Sequence, residues 1–454
     1  MDISPGSAQT VEIPPGPIYI VQEGDTLWDI AYLFQVSVDE IVAYNNRPSR
    51  DIYVGDRLVI PGMEALTGTI STLIIPFGDT LRTISRLNML DSEILVKLNK
   101  IVSPAEVYAG YEMILLKSDG EEKQWGSGSI QNQDSLLDFA VRQDVSIWEV
   151  NRINKINEAA MALPGDAYAV PGGLISSSRI GFPISINKVN IDPIPFSQGD
   201  TVQIWLEINN DGVPGGFLGK HQFKFFPQGD GIWVVLQGIY AMEKPGIYPL
   251  QISITSPGGE VQAFEQMVYI KSGNFLEESL YVDQTLIDPE VTEPENQWLL
   301  SMVSTSSDEK LWDGLFQLPV AEDFYCLRSG FGNRRSYNAG ELIGFHSGLD
   351  FGVCSESNPF DIYAPAGGTV IFVGEKTVRG NVTILDHGWG IYSGFWHQDE
   401  IMVNLGDLVV SGQLIGTIGS TGRVTGPHLH WEVWVNGIQV DPLDWLDEEF
   451  PHEK

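Results

Sequence analysis

The sequence predicts a multidomain protein in three parts: small α+β repeats, an all-β sandwich, and a C-terminal domain that gathers most of the histidines. Three observations carry that prediction. At 454 residues the chain is about three average domains long, so one fold over its whole length is excluded in practice. A motif recurs with a period near 54 in the first third, and apolar residues alternate along the middle. Five of the seven histidines fall between 346 and 430.

Charge and composition narrow the function classes. With 26 Lys+Arg against 60 Asp+Glu, the net charge is −34. A field of that sign repels phosphate backbones and anionic headgroups, so nucleic acid is not an expected partner. At 43% hydrophobic and 10% aromatic the chain is too apolar for disorder. No apolar run approaches the ~18 residues of a spanning helix, and no membrane span is expected. The N-terminus has no basic n-region, the first Lys or Arg being Arg47, and no apolar segment follows, so no signal peptide is visible. Two cysteines, Cys326 and Cys354, are neither a disulfide scaffold nor a zinc-finger set.

The repeat comes first along the chain. Gly24-Asp25-Thr26-Leu27 returns as Gly78-Asp79-Thr80-Leu81, and Asn45 returns as Asn99. In a third, weaker copy Asp134 answers Asp25, Ser146 answers Ser37, Asn154 answers Asn45 and Gly165-Asp166 answers Gly55-Asp56. Three units are therefore expected at 19–62, 73–117 and 133–172. In the first, Tyr19-Ile20-Val21 reads as a strand, and Leu27, Ile30, Ala31 and Phe34 share one face of a helix begun by Asp25 or Thr26. Ser37 to Glu40 is a capping box for a second helix, repeated at Ser146 to Glu149, and Arg57 to Pro61 closes the unit as a strand. This order, with GDTLWDIA, Asn45-Asn46 and VGDRLVIPG, resembles the LysM module; the third copy, with Gln133 and Ser135 in place of Gly and Thr, is degenerate. The resemblance implies binding to N-acetylglucosamine-containing glycans, chiefly peptidoglycan and chitin.

A further GDT at Gly199-Asp200-Thr201 opens a strand instead, because Val202, Ile204, Leu206 and Ile208 alternate. Similar alternation at Leu250/Ile252/Ile254, with turns such as Ser256-Pro257-Gly258-Gly259, predicts an immunoglobulin-like sandwich over 176–272 that acts as spacer or substrate platform. Residues 276–310 read as an acidic linker whose helix starts at Pro294.

The chemistry concentrates in the last third. As a strand, residues 427–434 put His428, His430 and Glu432 on one face and Leu429, Trp431 and Val433 on the core face. His346 and Asp350 stand four apart, about 13 Å if extended, too far to share a metal. The chain must therefore bend, and Gly348 is where it can. Two imidazoles and one carboxylate, with a position left for water, form the donor pattern of a catalytic zinc. FGNRRSYN at 331–338, FHSGLDFG at 345–352, APAGGTV at 364–370, the run 406–433 and VDP at 440–442 resemble the lysostaphin-type (LytM-like) peptidoglycan zinc metalloendopeptidases over 311–447. That family implies a mostly antiparallel β domain with its site in a groove, His346, Asp350 and His430 as ligands of Zn²⁺, and His397 and His428 as unliganded catalytic histidines. At Phe395-Trp396-His397-Gln398 the chain departs from the usual aromatic-Ala-His-Leu run, which bears on subsite shape.

The expected protein is a secreted or cell-wall-associated zinc endopeptidase, held on peptidoglycan by LysM modules and cutting stems or crosslinks. The alternative is a non-enzymatic scaffold or amidase activator, and glycine-rich proteins are a further substrate class. His387 is expected in a turn or behind the metal ligands, and His221 and His452 at the surface. Cys326 and Cys354 are read as a structural disulfide or as two thiols outside the metal set.

Overall fold

The computed structural model describes residues 15–452 except 65, 104–105, 118–124, 131–133, 157–165, 172–181, 184, 210, 283, 285–286, 322–325 and 354–359. The chain divides into two compact units. The first comprises residues 1–75, 79–107 and 111–181; the second comprises 182–454 with the short stretches 76–78 and 108–110.

The first unit holds the repeats. Strands Ile18–Ile20 and Arg57–Val59 flank helices Leu27–Phe34 and Val38–Tyr44; strands Thr69–Ile74 and Glu112–Lys117 flank helices Leu81–Leu87 and Ser92–Leu98. The two pairs of strands form a single four-stranded sheet, joined by parallel pairing of Ile18–Ile20 with Thr69–Ile74. That second strand begins at Thr69, ahead of the expected 73. The third repeat has helices Leu136–Arg142 and Ile147–Ile153 between paired strands Trp125–Ser129 and Ala167–Pro171. Its first strand precedes the expected boundary because Gly126-Ser127-Gly128-Ser129 has the composition of a linker, not of a strand. The expected bounds 133 and 172, and Gly165, lie outside the described residues.

The recurring asparagine has a structural use. Asn45 donates to the carbonyl of Val59 at 2.8 Å and accepts from its amide at 2.7 Å. Asn99 grips Ile114 the same way, at 2.8 and 2.7 Å, and Asn154 grips Ala169 at 2.8 Å in both directions. Each amide side chain thus ties the end of the second helix to the closing strand, satisfying one backbone donor and one acceptor inside the unit. Caps repeat as well: Thr26 with Asp29, Ser37 with Glu40, Thr80 with Thr83 and Ser135 with Asp138 are capping boxes. Ser135 does the work of threonine, since either hydroxyl accepts from the third helical amide. Ser146 departs from expectation. It makes no side-chain cap bond, because the Glu149 amide is taken by the Ser146 carbonyl at 2.9 Å.

In the second unit, residues 186–271 form two sheets. One contains Phe226–Gly229, Ile232–Gly238, Thr201–Ile208 and Ile186–Asp192; the other is built on Val213–Leu218, Gly246–Thr255 and Val261–Lys271. They share an apolar core that includes Ile204, Leu206, Val235, Leu250 and Ile252. The strand at 201 confirms that its GDT starts no repeat. The two sheets also pack against the C-terminal domain. Val234 and Leu236, on the opposite face from Val235, join Phe226 in the core of the C-terminal domain, where Phe226 stacks on Trp389 with centroids 4.7 Å apart. Trp445 Nε1 donates to Thr201 Oγ1 at 3.0 Å across the same junction.

The acidic linker is likewise built into the domain it precedes. Glu277–Leu280 is a strand paired with Arg334–Tyr337, and the helix runs Pro289–Val303. It starts five residues before the expected Pro294, because Asp288 caps it and Pro289 occupies its first turn, where no amide is needed. The C-terminal domain is a ten-stranded antiparallel sheet in which Leu349–Gly352, His428–Val435, Ile391–Ile401, Gly380–Gly388 and Gly368–Lys376 are successive neighbours. Cys326 carries no free thiol; Cys354 lies outside the described residues.

Candidate metal and catalytic site

Two adjacent strands create the site. Asp350 in Leu349–Gly352 pairs directly with His430 in His428–Val435, and His346 precedes the bend into the first of them. The bend does fall at Gly348, for an added reason: a Cβ there would lie 2.1 Å from the Trp431 carbonyl oxygen, so only glycine lets the chain pass this close to the partner strand. His346 is returned to Asp350 with Nε2 2.9 Å from Oδ1.

Three predicted ligand atoms meet. His346 Nε2 is 3.0 Å from His430 Nδ1, and His430 Nδ1 is 2.8 Å from Asp350 Oδ1. The other nitrogen of each ring is engaged elsewhere: His346 Nδ1 donates to the Gly330 carbonyl at 2.7 Å, and His430 Nε2 to Glu432 Oε1 at 3.1 Å. With those protons placed outward, two nitrogen lone pairs and a carboxylate oxygen converge with no donor among them. Such a triangle is stable only around positive charge. Zinc fits it, since its bonds of ~2.0–2.1 Å to nitrogen and oxygen set tetrahedral edges slightly longer than the separations found. Hydrogen bonds to the outward ring nitrogens are the usual support of zinc-bound histidines.

The electrostatics agree. Burial pushes the Asp350 carboxyl up, but the adjoining rings of His346 and His430, with the positive charge they can carry, outweigh it and hold the group well below the ordinary carboxylate range. Burial pushes His430 down, yet Asp350 and Glu432 raise it overall, so the site favours a cation at this ring. Glu432 is fixed by Ser347 Oγ at 2.5 Å and Trp434 Nε1 at 2.8 Å; its carboxyl, raised by burial but lowered more by His430, sits at about 2. The second Asp350 oxygen receives Arg335 Nη2 at 3.3 Å, and Arg335 is in turn bound by Glu278 at 3.1 Å.

His397 and His428 stand together beside the triangle, their ring centroids 4.9 Å apart. His397 Nδ1 donates to the Thr421 carbonyl at 2.8 Å and His428 Nδ1 to that of Gly426 at 2.9 Å, an arrangement in which a neutral ring presents Nε2 as an acceptor. Burial, helped by His430 and His428, pushes His397 down to about 3, so it is a neutral base at physiological pH. His397 sits at an irregularity where the pairing with Gly380–Gly388 slips by a residue, at a positive φ of 63°. A bulge of this kind re-aims a side chain, here that of His397. All five histidine and aspartate positions line one groove of about 470 Å³.

The remaining histidines lie elsewhere. His387 is neither in a turn nor behind the ligands. It is buried in strand Gly380–Gly388, bound to the Gly367 carbonyl and Ser393 Oγ. His221 and His452 are half-buried, and His452 Nε2 meets Asp192 at 3.1 Å. Sequence reading missed Arg335, Glu278 and the Gly330 carbonyl as supports. Glu432 was visible two residues beyond His430 on the same strand face, but its part as the partner of that ring was not.

Residues 344–442 match Peptidase family M23, and residues 19–61 and 75–115 match the LysM domain. The chain is 35% identical over 127 residues to Peptidoglycan DD-endopeptidase ShyB of Vibrio cholerae serotype O1, a stretch that is 28% of this chain and 29% of that protein. It is 38% identical over 120 residues to ShyC of the same organism, 26% of this chain and 27% of that one. The chain therefore spans less than a third of the length of these curated relatives. The solved catalytic domain of lysostaphin from Staphylococcus simulans is 29% identical, with 28% of this chain and 95% of that domain covered at a TM-score of 0.24. The chain thus carries a stretch that matches Peptidase family M23, with the His346, Asp350 and His430 triangle in it, and two stretches that match the LysM domain.

Proposed function

We propose that residues 311–447 are a zinc-dependent endopeptidase that hydrolyses peptide bonds in peptidoglycan stems or crosslinks, outside the cytoplasm. The repeats at 19–62, 73–117 and 133–172 hold it on the wall through the glycan. The observation that carries this reading is the convergence of two imidazole lone pairs and one carboxylate oxygen within 3.0 Å, with two further histidines beside it. Relatives whose names give peptidoglycan DD-endopeptidase activity support the substrate class.

His346, Asp350 and His430 would hold zinc. When bound, it supplies Lewis acidity to water and to the scissile carbonyl. The protein supplies the proton handling: Nε2 of His397 or His428 accepts a proton from attacking water and returns it to the leaving amine, and the other ring, when its Nε2 carries a proton, donates to the developing oxyanion. The Nδ1 bond to a carbonyl holds the accepting ring in the tautomer this needs. A scaffold or amidase activator would have no use for that arrangement.

Metal analysis and muropeptide mass spectrometry test the proposal. About one zinc per chain is expected, lost together with activity in His346→Ala, Asp350→Ala and His430→Ala. His397→Ala and His428→Ala should retain zinc and lower kcat by about 10²–10⁴. Stoichiometric zinc in all three ligand variants would sink the assignment. Deleting residues 1–172 should weaken retention on insoluble peptidoglycan and leave turnover of a soluble stem peptide within a few fold.

A further inference from the structure

We propose that Glu295, on the helix Pro289–Val303 that lies wholly ahead of the family-matched residues 344–442, is a positioning residue for His397. The inference rests on the endopeptidase reading above. Most carboxylates of this helix face water, but Glu295 is only 7% exposed. A buried carboxylate persists only where donors meet it, and here every donor comes from one turn: the Val378 amide at 2.9 Å, the Arg379 amide at 3.0 Å and Arg379 Nη1 at 3.0 Å.

That turn holds His397 from two sides. The Arg379 carbonyl accepts from the His397 amide at 2.9 Å. The Val378 carbonyl accepts from the Arg423 amide at 2.8 Å, in the loop whose Thr421 carbonyl fixes His397 Nδ1 at 2.8 Å. Glu295 therefore clamps the one turn that sets both the backbone and the ring of His397. The clamp has strain to contain. His397 has a positive φ of 63°, a conformation that is costly for a residue with a β-carbon and survives only where the surroundings over-determine it. Leu299 and Val303 of the same helix pack with Trp396, next in sequence to His397, so the helix grips the bulge through apolar contact as well. Thr292 and Asn296 line the groove itself, placing the helix in the wall of the site.

The test uses the full-length chain, a soluble crosslinked muropeptide dimer as substrate, and zinc content and Tm as controls. Glu295→Gln should lower kcat about 10- to 100-fold, the usual result of displacing a proton carrier by about an ångström, with zinc content unchanged and KM within about threefold. In a His397→Ala background the same substitution should cost nothing further, because the residue it positions is gone. A purely structural role would lower kcat by the same factor in both backgrounds, and that result overturns the inference. Glu295→Asp keeps the charge and withdraws it by one methylene; it gives the same comparison should the glutamine chain not fold. Wild-type kcat in Glu295→Gln, with His397→Ala impaired, overturns the inference alone. A wild-type chain that releases no peptide overturns the endopeptidase reading and this inference with it.

Discussion

The repeats and the candidate metal site are both held by side chains that grip backbone, but over different reaches of sequence. Asn45, Asn99 and Asn154 grip amides 14 or 15 residues away, and each unit closes on itself. His346 and Asp350 meet His430 across separations of 84 and 80, and Arg335 beside Asp350 is held from Glu278. Local closure can be copied and can drift, as the third repeat has drifted, because each copy needs only its own few contacts. A site assembled from distant segments fails as a whole when one segment moves.

Zinc removal should separate the two regions most completely. Chelation should abolish peptide release while leaving peptidoglycan retention by residues 15–117 unchanged, as activity and pull-down measured on one sample would reveal. Retention lost in parallel with activity would erase the distinction.

Acid should separate them next. Burial pushes His387 down to about 4, so between about 6.5 and 4 the unfolded chain binds a proton that the folded chain does not. Stability from this group is fully present above pH 6.5 and is lost as pH falls toward 4, by about 3 kcal/mol. The first unit has no histidine and should lack this loss. Urea midpoints at pH 7 and pH 4.5 for wild type and His387→Gln measure it; a variant as acid-sensitive as wild type refutes the account.

Smaller changes test whether closure really is local. Asn154→Ala orphans the amide and carbonyl of Ala169, at a cost of about 2 kcal/mol confined to the third repeat. Hydrogen exchange should show faster exchange at 167–171 and none at 57–59. Ser135→Ala should cost about 1 kcal/mol in the same repeat. An effect of either that spreads equally over all three repeats would mean the repeats unfold as one.

The same contrast explains what was legible in the sequence. The repeats announced themselves through period, caps and apolar faces, all of which are encoded within a few residues. Ser146 misled because a capping sequence does not say whether a backbone carbonyl will take the amide first. The five candidate positions were named from motifs, and the structure brings them into one groove. Glu295 was not, since an acidic stretch reads as solvated surface and nothing nearby in sequence reveals Val378 and Arg379 as its partners. The strand Trp125–Ser129 stayed hidden because glycine and serine carry no periodic signal.

The strand Ile232–Gly238, apolar toward both of its neighbours, decides what fragment of this protein can be isolated. A cut in the segment 272–311 would strip cover from Phe226, Val234 and Leu236 on one product and from Trp389 on the other. Both pieces would then present sticky surface to solvent and associate. A fragment beginning near residue 182 keeps this seam closed, though it gives up Phe77 and Ala109 from the sandwich core.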